Sequence, residues 1–142
     1  MKKKNFILSI LCVFTVFVIS CSSDDLTIEQ KTLSKSEQDA IVKLVSTNLS
    51  ISKDANVSID SVKLMKINDG YYLRLYHDGE ITTTLLKVEK ETMLKYAGIS
   101  CTTTYCATDD GCIPDKDGKK CTKCGAFSSD CKKTVTSDVL TE

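Results

Sequence analysis

Between residues 56 and 88 the chain reads NVSIDSVKLMKINDGYYLRLYHDGEITTTLLKV, and this stretch decides the fold. Val57 to Ile67, Tyr71 to Tyr76 and Glu80 to Val88 are rich in β-branched and aromatic residues. Asn68-Asp69-Gly70 and His77-Asp78-Gly79 separate them, and both are strong hairpin signals. The expectation is a three-stranded antiparallel meander. With two-residue Asp-Gly loops, Leu75 would face Thr82 and Tyr76 would face Ile81, mixing polar and apolar side chains on both faces. With three-residue loops, Leu75 faces Ile81, Leu73 faces Thr83 and Tyr71 faces Leu85. In the first hairpin Ile67 then faces Tyr71 and Met65 faces Leu73. One face becomes consistently apolar, so the three-residue loops are expected.

Upstream, Ser34-Lys35-Ser36-Glu37 has the S-x-x-E spacing of a capping box. Ile41, Leu44, Val45 and Leu49 follow at helical spacing, so a helix is expected over about Lys35 to Asn48. Its apolar stripe suits the meander's apolar face. Downstream, Lys90 to Tyr96 is compatible with a fourth strand or a short helix.

From Cys101 to Thr134 the only sizeable apolar side chains are Tyr105, Ile113 and Phe127. Such a segment cannot build a core of its own. It does hold Cys101, Cys106, Cys112, Cys121, Cys124 and Cys131, all within 31 residues, whereas the 79 residues between Cys21 and Cys101 have none. An even, clustered set in an exported chain reads as a disulfide framework. Six cysteines allow 15 connectivities, and the spacing does not choose among them.

Export is read from the start of the chain. Lys2-Lys3-Lys4 precedes an apolar run from Phe6 to Ile19, the layout of a secretory signal. The run has 14 residues, short of the ~20 that span a bilayer as a helix. It closes on Val18-Ile19-Ser20-Cys21, which resembles the lipobox of bacterial lipoproteins. In that family the cysteine is acylated and becomes the first mature residue. The resemblance implies lipidation at Cys21, three acyl chains and a membrane held through lipid alone. Ser23-Asp24-Asp25 is also similar to the short acidic signals of Bacteroidota lipoproteins sent to the outer face of the outer membrane. Ser22, which is not the Asp of inner-membrane retention, points the same way. With its short Cys-rich C-terminus, the chain is similar to small lipoproteins of the Bacteroidota, a resemblance that supplies no activity.

All 19 acidic residues lie after Ser20, while three of the 19 basic ones lie before it. The mature chain is therefore acidic, and a nucleic-acid partner has no electrostatic support. Several motifs have residue types that could carry chemistry. Cys121-Thr122-Lys123-Cys124 lacks the strand-then-helix setting of a redox dithiol and reads as structural. Cys112, Cys121, Cys124 and Cys131 could form a zinc site, but only one close pair is present where two are usual. The spacing after Cys101 and Cys106 departs from iron–sulfur patterns. Asp109-Asp110-Gly111 and Asp115-Lys116-Asp117-Gly118 fail the calcium-loop register, which would require ligands at Ile113 and Cys124. Neither a metal nor a cofactor is expected.

His77, the sole histidine, is expected as an exposed turn residue with no nucleophile beside it. Tyr72, Arg74 and Tyr76 share the face opposite the apolar one, either as a binding platform or as cross-strand packing over Val62, Leu64 and Leu86. The packing reading is preferred. The two N-x-S/T matches, at Asn48 and Asn56, carry no meaning in a bacterial lipoprotein.

The expected fold is α+β. One N-terminal helix packs on a three-stranded antiparallel meander, followed by a small disulfide-rich C-terminal segment. The expected division is a signal peptide over residues 1–20, lipidated Cys21 with a flexible tether over 21–33, an α+β domain over 34–98, a stapled segment over 99–134 and a frayed tail over 135–142. The functional expectation is a lipid-anchored, non-catalytic binding or structural module of the cell envelope. Its unidentified partner would be an envelope or extracellular protein or a glycan. The alternative is a small inhibitor of a protease or lytic enzyme, using the loop Ile113 to Lys120 to fill a cleft.

Overall fold

A computed structural model describes residues 26–28, 31–106, 110–124 and 130–136. The signal segment, Cys21 and residues 137–142 lie outside the described residues. In chain order the elements are β1 (Leu26–Ile28), β2 (Lys31–Leu33), α1 (Lys35–Lys53), β3 (Ile59–Ile67), β4 (Gly70–His77), β5 (Glu80–Glu89), β6 (Met93–Thr103) and β7 (Lys132–Val135).

The helix on a three-stranded meander is overturned as a description of the fold. The three expected strands form β3, β4 and β5, but they belong to a seven-stranded sheet ordered β1-β2-β6-β5-β4-β3, with β7 also paired to β6. β6 continues the meander for 11 residues. Its outer edge is shared, since β2 pairs at Met93 and β7 pairs from Ile99 to Thr102. β1 lies beyond β2 and also runs close to β3, so the sheet curls round toward its opposite edge. Ordered structure therefore starts within the segment expected as tether, and Leu33 is fully buried.

The helix begins where its capping box predicts. Ser34 Oγ accepts from the Glu37 amide at 3.3 Å, and the Ser34 amide donates to Glu37 Oε2 at 3.1 Å. It runs five residues past Asn48 and ends at Asp54, whose φ of 52° is left-handed. Ile41, Val45 and Leu49 pack against Leu64, Leu73, Leu75, Leu86 and Leu94 to form the main core.

The expected hairpin register is also corrected. Both loops have two residues. Ile67 faces Gly70 across Asn68-Asp69, and His77 faces Glu80 across Asp78-Gly79. All four loop residues have positive φ, the backbone of the tight hairpin turns that match strand twist. Gly70 is not in its turn at all. A Cβ there would meet the buried Tyr72 ring at 2.7 Å, so the ring occupies the space that glycine leaves open. Leu75 consequently faces Thr82, and Leu73 faces Thr84.

Alternation alone disfavours this mixed pairing, because it presumes one apolar and one wet face. Both faces are covered. Beneath the helix, buried hydroxyls satisfy one another: Thr82 with Thr102 at 2.8 Å, and Ser100 donating to Thr84 at 3.0 Å. Paired in this way, they avoid the cost of burying unsatisfied polar groups. On the opposite face Ile67, Tyr72, Leu85 and Ile99 form a second core with Ile113 of the Cys-rich segment. Tyr72 and Arg74 therefore do not pack over Val62, Leu64 and Leu86, which lie on the helix side.

Two substitutions test this arrangement. Leu73→Ala, at a fully buried site between sheet and helix, should lower unfolding free energy in urea by about 2–5 kcal/mol. Gly70→Ala should also destabilise, because the Tyr72 ring is enclosed and cannot yield. An unchanged urea midpoint for Gly70→Ala would contradict the register.

Candidate functional site

The Cys-rich segment is built on the sheet rather than beside it. Cys101 stands on β6, on the face away from the helix, and bonds to Cys121. Cys106 bonds to Cys124, and Cys112 to Cys131. The pairing is first to fourth, second to fifth and third to sixth, so the three closed loops interlock. Their sulfurs pack as a third small cluster. Cys101, Cys121 and Cys131 bring sulfurs within 4.8 Å of one another, close enough to share an ion. In the oxidised chain these sulfurs belong to two disulfides, so no thiolate is offered to a metal.

The segment Ile113 to Lys120 forms a small hairpin laid against the sheet. Ile113 and Pro114 are buried, and the Pro114 carbonyl accepts from the Tyr72 hydroxyl at 3.2 Å. The Asp115 carboxylate accepts from the Lys119 and Lys120 amides, at 2.7 and 3.2 Å, and so closes the turn. Its partial burial raises the carboxyl pKa, but those amides and the two lysine charges outweigh this and hold it below the usual range. Burial, with the Asp115 charge, pushes the Tyr72 phenol up. Lys116 reaches back to Asp69 at 3.9 Å, beside the first sheet hairpin.

His77 is not an exposed turn residue. It is 1 % exposed, with Nε2 2.8 Å from the Thr82 hydroxyl. Its Nδ1 is buried, and no hydrogen-bond partner reaches it among the described residues. Burial, then the Lys53 charge, lowers its pKa. Thr82 is fully buried as well, so this hydroxyl–imidazole pair is sealed from any substrate. Arg74 is 2 % exposed under the Cys-rich cap, where its Nε donates to Thr83 at 3.0 Å. Burial removes it from any exposed platform.

A cleft of about 490 Å³ opens where the helix C-terminus meets the end of the sheet. Leu49, Ser52 and Lys53 form the helix wall, and Glu80 contributes from β5. Residues 102–104, Asp130 and residues 132–134 close the other side. Lys53 pairs with Glu80 at 2.7 Å. Asp130 Oδ2 accepts from the Thr103 hydroxyl, the Thr104 amide and the Thr104 hydroxyl, at 2.8, 3.0 and 3.0 Å. That carboxylate fixes the turn leading to Cys106, and on this turn Tyr105 stands 86 % exposed. Sequence reasoning missed the cleft because its walls come from elements that join only through the sheet's crossovers. No protein-family model, curated protein or solved structure matches this chain.

Two measurements follow. Replacing Cys112 and Cys131 together by Ala opens a loop with a sequence separation of 19 and should cost about 3 kcal/mol of stability. For His77 the native pKa lies below the unfolded value of about 6.5. The unfolded state therefore takes up the proton first as pH falls, and stability declines through 6.5 toward the native pKa. In urea unfolding at pH 7.5 and 5.5, the margin of wild type over His77→Gln should shrink on acidification. Parallel losses in both proteins would remove the assigned role.

Proposed function

We propose that this chain is a lipid-anchored lipoprotein of the bacterial cell envelope, whose domain is a non-catalytic binding module. The anchoring part rests on the resemblance of Val18-Ile19-Ser20-Cys21 to a lipobox. Its support is the cysteine usage: with Cys21 acylated and Cys12 in the signal, the remaining six pair among themselves. Such pairing belongs to an oxidising compartment. Among the described residues, no helix is long and apolar enough to cross a membrane; the attachment in this reading is the lipid at Cys21. Outer-membrane placement follows from Ser22 and the acidic run after it.

The observation that carries the module reading is polarity along β6. Leu26 is five residues from Cys21, a reach of at most about 18 Å for an extended chain. β1 pairs with β2, and β2 meets β6 at Met93, whereas the cleft is lined by Thr102 to Thr104 at its other end. Ten residue steps of about 3.3 Å separate the two ends. The lipid holds one pole near the bilayer, and the cleft and Tyr105 face outward at the other.

Non-catalytic action is favoured because the single histidine and its threonine partner are both closed off from solvent. The module is favoured over the inhibitor by the hairpin from Ile113 to Lys120. An inhibitory loop should project, but this one has buried roots and lies along the sheet.

Metabolic labelling with palmitate and membrane fractionation test the anchor. The full precursor should incorporate label and sediment with membranes, and Cys21→Ser should do neither. An unlabelled, soluble wild-type protein would overturn the anchoring.

A further inference from the structure

We infer that the cleft at the outward pole binds an anionic saccharide, a sugar ring bearing carboxylate or phosphate; this rests on the reading of the domain as a binding module. The wall chemistry sets the ligand class. Leu49 is the only apolar residue among the described residues that line it; the rest of the apolar wall is threonine methyls and lysine stems, each ending in a polar group. Ser52, Thr102, Thr103, Thr104 and Thr134 line it with short hydroxyls. Ser52, Thr103 and Thr104 give their protons to the Leu49 carbonyl and to Asp130, and so turn oxygen lone pairs toward a ligand as acceptors. A polyol brings hydroxyl protons on successive carbons to donate to such acceptors and is the matching partner.

Charge sets the second requirement. Of the cleft's two carboxylates, Glu80 is engaged by Lys53. Asp130 spends one oxygen on three hydrogen bonds to residues 103 and 104. Lys132 and Lys133 add two positive charges on β7. The Lys133 ammonium donates to the Lys119 carbonyl at 2.5 Å, a neutral acceptor that leaves its charge in place. An anionic group on the ligand therefore gains from the β7 side of the cleft.

Tyr105 supplies the third element. It directly follows Thr104, which lines the cleft, and is the most exposed large apolar side chain among the described residues. Its amide donates to Thr103 Oγ1 at 3.1 Å, that hydroxyl is held by Asp130, and the next residue is locked in the Cys106–Cys124 disulfide. An aromatic ring presented on backbone fixed in advance loses little entropy on binding. Its face offers a stacking surface for the C–H side of a sugar ring.

The test is a titration of the mature, oxidised protein in detergent, followed by calorimetry and by tyrosine fluorescence, which no Trp obscures. The probes are tetragalacturonate, glucose 6-phosphate, maltotetraose and tetraglutamate. Saturable binding of either anionic sugar is expected, at least tenfold tighter than maltotetraose or tetraglutamate. Tyr105→Ala and Lys132→Ala should each weaken it several-fold, while Tyr105→Phe retains it. Both positions are exposed, so near-unchanged melting temperatures are expected and show that folding is intact. Absence of binding by both anionic sugars would overturn the inference. So would equal binding of tetraglutamate, which would mean charge alone, or binding indifferent to Tyr105 and Lys132. The titration reads the domain with or without its lipid, so its failure leaves the anchoring test untouched.

Discussion

A sheet with two buried faces has to be covered twice, and the described residues hold one helix with which to do it. The helix covers Leu64, Leu73, Leu75 and Leu86. The other face carries Ile67, Tyr72, Leu85 and Ile99, and among the described residues the Cys-rich segment covers it. That segment brings a single large aliphatic residue, Ile113, to the contact. Area alone cannot hold so small an apolar surface in place against the entropy of ordering the chain. Three interlocked disulfides restrict the unfolded segment instead, and one of them starts on β6 itself. The covalent framework and the second core are thus one device.

The same constraint explains features that look unrelated. Mixed pairs such as Leu75 with Thr82 are tolerable because each face is sealed and its hydroxyls are paired. His77 can lie buried beside a turn because Thr82 meets its Nε2 and its neutral form requires little more. Asp130, far along the chain, fixes the turn at Thr104 that leads from the cleft wall to the exposed Tyr105. With both faces covered, the Thr102 end of β6 is left to present polar groups and one exposed ring.

The capping box at Ser34, the helical stripe and the strand-rich runs on either side of Asn68 and Asp78 were legible in the sequence, because each is a local pattern. So was the pairing potential of six clustered cysteines. The hidden parts were non-local. β6 was obscured by Gly98 and by a bulge near Leu85 that interrupts simple alternation. β1, β2 and β7 have three or four residues each and exist only because β6 and its neighbours offer an edge. The hairpin register failed on an assumption about solvent: alternation predicts a register only when one face is wet. Burial of His77, Tyr72 and Arg74 depends on covers that lie far away in the chain. The cleft likewise draws its walls from the helix end, β5, β6 and β7.

Amide hydrogen exchange of the oxidised and fully reduced protein tests the central claim most directly, that the stapled segment is half of the core. Reduction should strip protection from β4, β5 and β6 together with residues 110–124, because the second face loses its cover. Retained protection in β4 and β5, with loss confined to the Cys-rich segment, would show an appendage on an independently stable sheet and would contradict the account.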